Sequence, residues 1–241
     1  MEKPTYKDLL SAGVHFGHLK KKWNPKMAPY IFTEHKGIHV IDLNRTLESM
    51  ERAANAMRQI AKSGRKIMFV ATKKQARDIV TKAALSVGMP FVTERWLGGM
   101  MTNFATIRRS IKKLQTMDRM LQDGSAENIT KKERLTISRE RDKLEKVLGG
   151  IAGLTRLPAA VFVVDVSHEH IAVDEATKLG IRTFAMVDTN SDPNRVDFAI
   201  PANDDASKSI SIIVNYMADA IRQGLAERER SKTEKPAAAE E

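Results

Sequence analysis

The chain has 241 residues, 42% of them hydrophobic, and a formal net charge of +10, which favours a globular protein with polyanionic partners such as nucleic acid. It contains no cysteine, which excludes a disulfide scaffold, a thiolate zinc site and a cysteine nucleophile. No apolar run approaches the roughly 20 residues that cross a bilayer, and Met1–Leu10 lacks the apolar stretch of a secretory signal, so we expect a cytoplasmic protein.

The first half of the chain alternates helical and strand patterns. Thr46–Ala61 carries apolar residues every three or four positions, which predicts an amphipathic helix that ends at Ser63–Gly64. The apolar run Lys66–Ala71 has the length of a strand. Helical spacing resumes over Ala76–Val87, before the short apolar segment Phe91–Val92.

The second half repeats this pattern with the strand Ala159–Val166, the helix Ile171–Leu179 and the strand Thr183–Val187. Continuous apolar strands between helices are typical of parallel sheets that are buried on both faces. A final helix follows, and Asp204 or Asp205 can cap it. The sequence therefore predicts an α/β fold, a three-layer, doubly wound and mainly parallel sheet of the Rossmann-like kind.

Two long polar helices interrupt this alternation, Thr102–Leu121 and Thr130–Leu148, with a turn-like Gln122–Ser125 between them. A narrow apolar seam predicts an inserted coiled-coil hairpin, whose basic surface is either a nucleic-acid contact or a solvated face. We divide the chain into an α/β globular domain with an N-terminal RNA-facing segment (1–101 and 152–225), the inserted helical hairpin (102–151) and a flexible tail (226–241).

The usual signals of nucleotide binding and hydrolysis are missing from the sequence. The loop after the first predicted strand, Thr72–Gln75, has no glycine that would let the backbone approach a pyrophosphate. It offers Lys73, Lys74 and Arg77, which either contact phosphate directly or start a solvated helix. Since Gly-x-Ser-x-Gly and His-Glu-x-x-His are also absent, we predict no enzyme activity and no required cofactor.

Two segments combine cations with indole rings. Arg95–Asn103 contains Trp96 and two glycines, and Lys20–Lys26 contains Trp23. Such segments suit RNA, because aromatic faces stack on bases and Arg pairs with phosphates. For the first segment taken alone, a Trp96 buried in a turn is the favoured explanation. The predicted RNA-binding residues, with the basic positions of the hairpin, are Lys20, Lys21, Lys22, Trp23, Asn24, Lys26, Lys73, Lys74, Arg77, Arg95, Trp96, Asn103, Arg108, Arg109, Lys112, Lys113, Lys131 and Lys132.

Imidazole and carboxylate groups follow the later strands. His168–His170 either starts a helix or ligates a metal, and Asp188–Pro193 is an Asx-turn sequence first and a divalent-ion site second. The alternative of a bound divalent metal ion would use His15, His18, Asp188, Asp192, Asp204 and Asp205.

Seven motifs, in order and spacing, resemble the bacterial small-subunit ribosomal protein S2 family over nearly the whole chain. They are Ala12-Gly-Val-His-Phe-Gly-His18, Trp23-Asn-Pro-Lys-Met27, Pro29-Tyr-Ile-Phe32, Arg95-Trp-Leu-Gly-Gly99 with Thr102-Asn103, His168-Glu-His170 and Asp188-Thr-Asn-Ser-Asp-Pro193. Only the C-terminal tail has no match.

The resemblance implies a flavodoxin-like domain with a protruding coiled coil, seated on small-subunit ribosomal RNA where head meets body. It implies a structural role in subunit assembly, recruitment of ribosomal protein S1, neighbouring ribosomal proteins as partners, and neither membrane nor DNA binding. A metal ion near the His and Asp motifs also belongs to what it implies. The competing hypotheses are a nucleotide-dependent enzyme and a free RNA-binding regulator.

Overall fold

The computed structural model describes residues 3–122 and 130–237. The chain begins with the short helix α1 (Tyr6–Ser11) and a three-stranded antiparallel sheet in the order β1-β3-β2. Its strands are β1 (Phe16–Leu19), β2 (Ile31–His35) and β3 (Ile38–Ile41), and two 3-10 turns, Lys20–Lys22 and Pro25–Tyr30, connect β1 to β2. The sequence patterns did not predict this sheet, because its strands are short and β2 is almost entirely exposed.

The remaining elements build the α/β body and two long helices. They are α2 (Leu43–Lys62), β4 (Ile67–Val70), α3 (Lys74–Ser86), β5 (Phe91–Val92), α4 (Phe104–Gln122), α5 (Lys131–Leu148), β6 (Ala160–Val164), α6 (His170–Lys178), β7 (Arg182–Val187), β8 (Phe198–Pro201) and α7 (Ser207–Ala237). Strands β4 to β8 form one parallel sheet in the order β5-β4-β6-β7-β8. Numbered along the chain, this is 2-1-3-4-5, the flavodoxin-like order.

Both faces of this sheet are buried, which confirms the prediction of an α/β fold around a parallel sheet. Phe69, Phe162 and Phe184 point to one face and contribute to a core that α2, α3 and α7 cover. Met68 and Val163 point to the other face, where α6 and the bases of α4 and α5 complete a second core. The side chains of successive residues in each strand therefore pack into different cores, one on each face of the sheet.

Helix α7 packs along α2, and Gly224 lies at their closest approach. A Cβ atom at Gly224 would lie 2.3 Å from the carbonyl oxygen of Arg58. We expected a frayed tail from about Ala226, whereas the structure continues α7 to Ala237. Asp204 and Asp205 do not cap this helix as predicted. Their carboxylates turn towards Lys73 instead.

Helices α4 and α5 lie against each other and are joined to the sheet at their bases. The ammonium of Lys113 pairs with Glu140, and Arg141 Nε lies 2.7 Å from Asp118 Oδ1. Leu148 at the end of α5 belongs to the second core, together with Met68 and Val163 of the sheet. The predicted turn falls on residues 123–125, which lie outside the described residues. Among the described helices, none combines the length and apolar content needed to span a bilayer.

Candidate functional site

The carboxyl ends of β4 and β6 meet where the strand order reverses, the position at which folds of this kind usually bind ligands. Here the protein's own side chains fill the crevice. Lys73 Nζ lies 2.7 Å from Asp165 Oδ2, 2.7 Å from Asp204 Oδ1 and 2.8 Å from Asp205 Oδ1. This arrangement counts against the alternative in which Lys73 contacts phosphate, because three carboxylates already surround its mostly buried ammonium.

A second contact closes the same crevice. The buried carboxylate of Glu169 accepts hydrogen bonds from the backbone N–H and the hydroxyl of Thr72, both at 2.6 Å. His170 is the first residue of α6 and His168 lies just before it, and the two do not converge on a metal site. The backbone N–H of His168 donates to Asp165 Oδ1, and His170 Nδ1 lies near the carbonyl of Ser167. The helix-start interpretation of this motif accounts for all these contacts.

His18 from β1 joins the acidic groups next to Lys73. Its Nδ1 lies 2.9 Å from Asp188 Oδ2 and its Nε2 lies 3.5 Å from Asp205 Oδ2. The hydrogen bond to Asp188 raises the pKa of His18. Burial, together with the charges of Asp165 and Asp188, raises the pKa of Asp204 to about 7, although Lys73 opposes this shift.

This cluster has the donor set of a divalent-cation site. One ligand atom each from His18, Asp188 and Asp205 lies within 4.8 Å of the others. The second oxygen of the fully buried Asp204 has no hydrogen-bond partner among the described residues. Two of the predicted ligands lie elsewhere, since Asp192 pairs with Lys26 at 2.6 Å and the ring of His15 packs on Phe16.

Beside this crevice, a pocket of about 550 Å³ gathers cations from distant parts of the sequence. Lys74 and Arg95 line it and are exposed to solvent. Arg77 lines it as well, where its guanidinium is held by Glu94 and by the carbonyl of Thr72. The structure thus brings three of the predicted RNA-binding residues to one surface.

Glu175 of α6 organises the Arg95–Asn103 loop, and the sequence reasoning did not identify it. Its buried carboxylate accepts five hydrogen bonds, from Trp96 Nε1, from the backbone N–H groups of Gly99, Met101 and Thr102, and from the Thr102 hydroxyl, at 2.8 to 3.0 Å. Burial alone would raise the pKa of Glu175, but the donated hydrogen bonds hold it below its ordinary value.

The same contacts correct the predicted role of Trp96. Its indole N–H is donated to Glu175, and its ring is buried, so the ring face is not exposed for stacking on a base. Asn103 stays exposed just before α4. The loop presents Arg95 and Asn103 outward from a fixed backbone.

The N-terminal basic turn, Lys20–Lys26, is attached to the body through Thr189. The backbone N–H of His18 donates to Thr189 Oγ1 at 2.8 Å, and the N–H of Asn24 donates to the Thr189 carbonyl at 2.7 Å. Lys21 and Lys22 are exposed and Trp23 is partly exposed against the ring of His39. The side chain of Asn24 is used within the turn, where it accepts from the N–H of Lys26.

Helices α4 and α5 carry the remaining predicted positions on their surface or in the residues that start them. Lys113 is engaged with Glu140, as described above, while the other basic residues are exposed: Arg108, Arg109, Lys112, Lys131 and Lys132. The described structure therefore presents three basic surfaces, at the N-terminal turn, at the carboxyl edge of the sheet and along the two helices.

Comparison with known proteins gives one consistent result. The family described as "Ribosomal protein S2" matches residues 9–224. The protein called "Small ribosomal subunit protein uS2" of Cytophaga hutchinsonii is 63% identical over 231 residues, which cover 96% of this chain and 91% of that protein. The proteins of the same name from Parabacteroides distasonis and Porphyromonas gingivalis are each 57% identical, over 100% and 98% of this chain and 86% and 83% of their own lengths.

Proposed function

The chain belongs to the ribosomal protein S2 family, and we propose that it clamps small-subunit ribosomal RNA at the head–body junction and helps to recruit ribosomal protein S1. As a member of this family it is a structural constituent of the small ribosomal subunit and not an enzyme. The filled crevice at the switch point agrees with that role, because Lys73 and Glu169 stand where a nucleotide would lie.

The observation that carries the RNA-binding proposal is the position of the three basic surfaces. Each is fixed by buried contacts, Thr189 for the N-terminal turn, Glu175 for the carboxyl edge and Leu148 for the base of the two helices. Cations held on a rigid scaffold can replace counterions on folded RNA and recognise its shape rather than its sequence.

We further propose that α4 and α5 form a coiled-coil hairpin that extends this contact. Their apolar seam and cross-helix ion pairs support the arrangement. The test reverses the charge of Lys112, Lys131 and Lys132 to Glu, which leaves the paired Lys113 in place. Exposed charges contribute little to stability, so the variant should fold yet enter small subunits poorly.

The matched control reverses Lys82, Lys178 and Lys208, three exposed lysines on the body, and so changes the net charge equally. Incorporation is measured by cosedimentation with purified small subunits after a salt wash, and folding by thermal melting. Equal incorporation of both variants would remove the hairpin from the proposed interface. A chain that never cosediments in stoichiometric amount would favour a free RNA-binding regulator instead.

The recruitment proposal has a separate support on the β1–β3 sheet. Three large apolar side chains are exposed there, with exposed fractions of 51% for Phe16, 52% for Leu19 and 75% for Phe32. Exposed apolar groups are typical of a surface that binds another protein rather than phosphate. Replacing Phe32 by Ser should weaken retention of ribosomal protein S1 on small subunits without loss of the chain itself. Unchanged retention of ribosomal protein S1 would show that the β1–β3 sheet does not take part in its recruitment.

For a divalent cation, we propose His18, Asp188 and Asp205 as ligands, with Asp204 beside them. Three carboxylates, those of Asp165, Asp204 and Asp205, contact the single ammonium of Lys73. Asp188 adds a fourth carboxylate beside them through its contact with His18, so the cluster holds more carboxylates than cations. A bound ion would offset this excess and fix the N-terminal sheet to the body. Metal analysis of the purified chain, and of Asp188→Asn, tests the assignment.

A further inference from the structure

A groove of about 910 Å³ opens at the amino edge of the central sheet, the edge opposite to the one that carries Lys73. The segments that lead into β4, β5 and β6 form it together with the end of α5. Its apolar part includes Leu85 and Leu157, which are exposed to 63% and 40%. Nothing in the proposed RNA contact uses this groove.

Cations surround this apolar surface. Arg65, Lys66, Lys146 and Arg156 line the groove, against the single acidic residue Glu145. In the part of the chain whose side chains are described, neither Arg65 nor Arg156 pairs with a carboxylate. Arg65 only donates to the Ser63 hydroxyl, at 3.0 Å. Two guanidinium groups are therefore available to an incoming anion.

The combination of apolar and cationic groups in the groove distinguishes between two anionic partners, RNA and an acidic protein segment. RNA binds through phosphates, 2′-hydroxyls and stacked bases, and exposed leucines match none of these. A protein segment that carries acidic and apolar side chains matches both parts of the groove, since guanidinium groups pair with carboxylates and leucines pack on aliphatic residues.

We propose that the amino-edge groove docks an acidic, amphipathic segment of a neighbouring protein in the small subunit. The inference rests on the proposed function, because it takes the neighbour from the subunit. Leu85 and Leu157 supply the apolar anchors, and Arg65 with Arg156 supplies the charge recognition.

The chain has no cysteine, so a single introduced thiol can be labelled alone. Leu157→Cys, carrying a maleimide-benzophenone probe, is incorporated into small subunits and irradiated, and the adducts are separated by nuclease and protease digestion. Leu85→Cys repeats the measurement from the other side of the groove. Glu48→Cys, exposed on α2 outside the groove, is the labelling control.

The expected result is a protein adduct from both groove positions and not from Glu48→Cys, mapped to an acidic peptide. It should fall at least about tenfold when Arg65→Glu and Arg156→Glu are added, because both charge-assisted contacts are then repulsive. An RNA adduct, no adduct, or an adduct insensitive to charge reversal in incorporated protein would overturn the inference alone. If the unmodified chain fails to incorporate, the proposed function fails first.

Discussion

Glu175 illustrates, at the scale of one residue, how a buried charge can fix a surface loop. A carboxylate in a mostly apolar setting is costly unless its oxygens are hydrogen-bonded, and here all five donors come from one segment, Trp96–Thr102. The loop cannot move without leaving several of these groups unpaired. Arg95 and Asn103 therefore keep their outward positions.

Replacing Glu175 by Ala should lower the free energy of unfolding by roughly 3 kcal/mol, because buried donors lose their acceptor. Asp174→Ala is the matched control. Its carboxylate is exposed and pairs only with Arg195, so the change should stay within about 0.5 kcal/mol. Urea unfolding measures both. Similar decreases in the free energy of unfolding of the two variants would show that the buried hydrogen bonds of Glu175 do not stabilise the protein more than an exposed ion pair does.

The contribution of Glu175 to the free energy of unfolding should also depend on pH. The pKa of Glu175 in the folded protein is below its ordinary value of 4.5, so its contribution is fully present above that value. It is lost as the pH falls through the folded pKa, since the unfolded state then binds the proton first. Glu175→Gln should therefore lose less stability than the original chain between pH 6 and pH 3, as measured by urea unfolding. An identical pH profile would contradict the assignment.

Part of this residue-scale picture can be read from the sequence. Glu175 interrupts an apolar stripe in α6 that includes Ala172, Val173 and Ala176, and an acid on a buried helix face signals a polar partner. Which partner it has depends on the path of a loop more than 70 positions earlier in the chain. The same limit explains why the sequence did not predict the contact between Lys73 and Asp204, since Asp204 is distant in sequence.

At the scale of elements, the contact between α2 and α7 depends on one missing side chain. Because a Cβ atom at Gly224 would meet the backbone oxygen of Arg58 at 2.3 Å, the helices cannot adapt by a rotamer change.

Gly224→Ala should therefore destabilise the protein by about 1 to 2 kcal/mol, even though Ala favours a helix by about 1 kcal/mol. Gly153→Ala is the control, since a Cβ atom there meets nothing within 4 Å and its φ is not positive. Thermal melting compares the two. A stabilising effect of Gly224→Ala would show that the helix pair can separate at little cost.

The elements that sequence predicted are those with a strong period or a continuous apolar run. The strands β4, β6 and β7 lie within or next to the predicted runs, and α2 and α3 match the predicted helices to within a few residues. Strand β8 was missed, because Phe198–Pro201 is short and ends in proline. The β1–β3 sheet was missed because its strands are short and lack a clear hydrophobic pattern. Antiparallel hydrogen-bond pairing defines this sheet, and the sequence does not show that pairing directly.

At the scale of the whole molecule, the proposed RNA clamp of three separate basic surfaces should be sensitive to salt. The logarithm of affinity for folded RNA should fall linearly with the logarithm of salt concentration, with a slope of about −0.9 for each neutralised phosphate on duplex regions. The Lys112, Lys131 and Lys132 reversal should reduce that slope by about 1 for each lysine that contacts a phosphate. Filter binding to small-subunit RNA at several salt concentrations measures it. An unchanged slope would mean that α4 and α5 stand clear of the RNA.

The attachment of the N-terminal turn also sets an order of events during synthesis. His18 and Asn24 hydrogen-bond to Thr189, and the carbonyl of Val14 accepts from the N–H of Asn203, so the partners of these residues lie far later in the chain. Chains grow from the N-terminus, and a nascent chain that stops short of Thr189 has its first basic turn without an anchor. The anchored conformation of this basic turn therefore forms only after the chain has been synthesised past Thr189 and the body can fold around it.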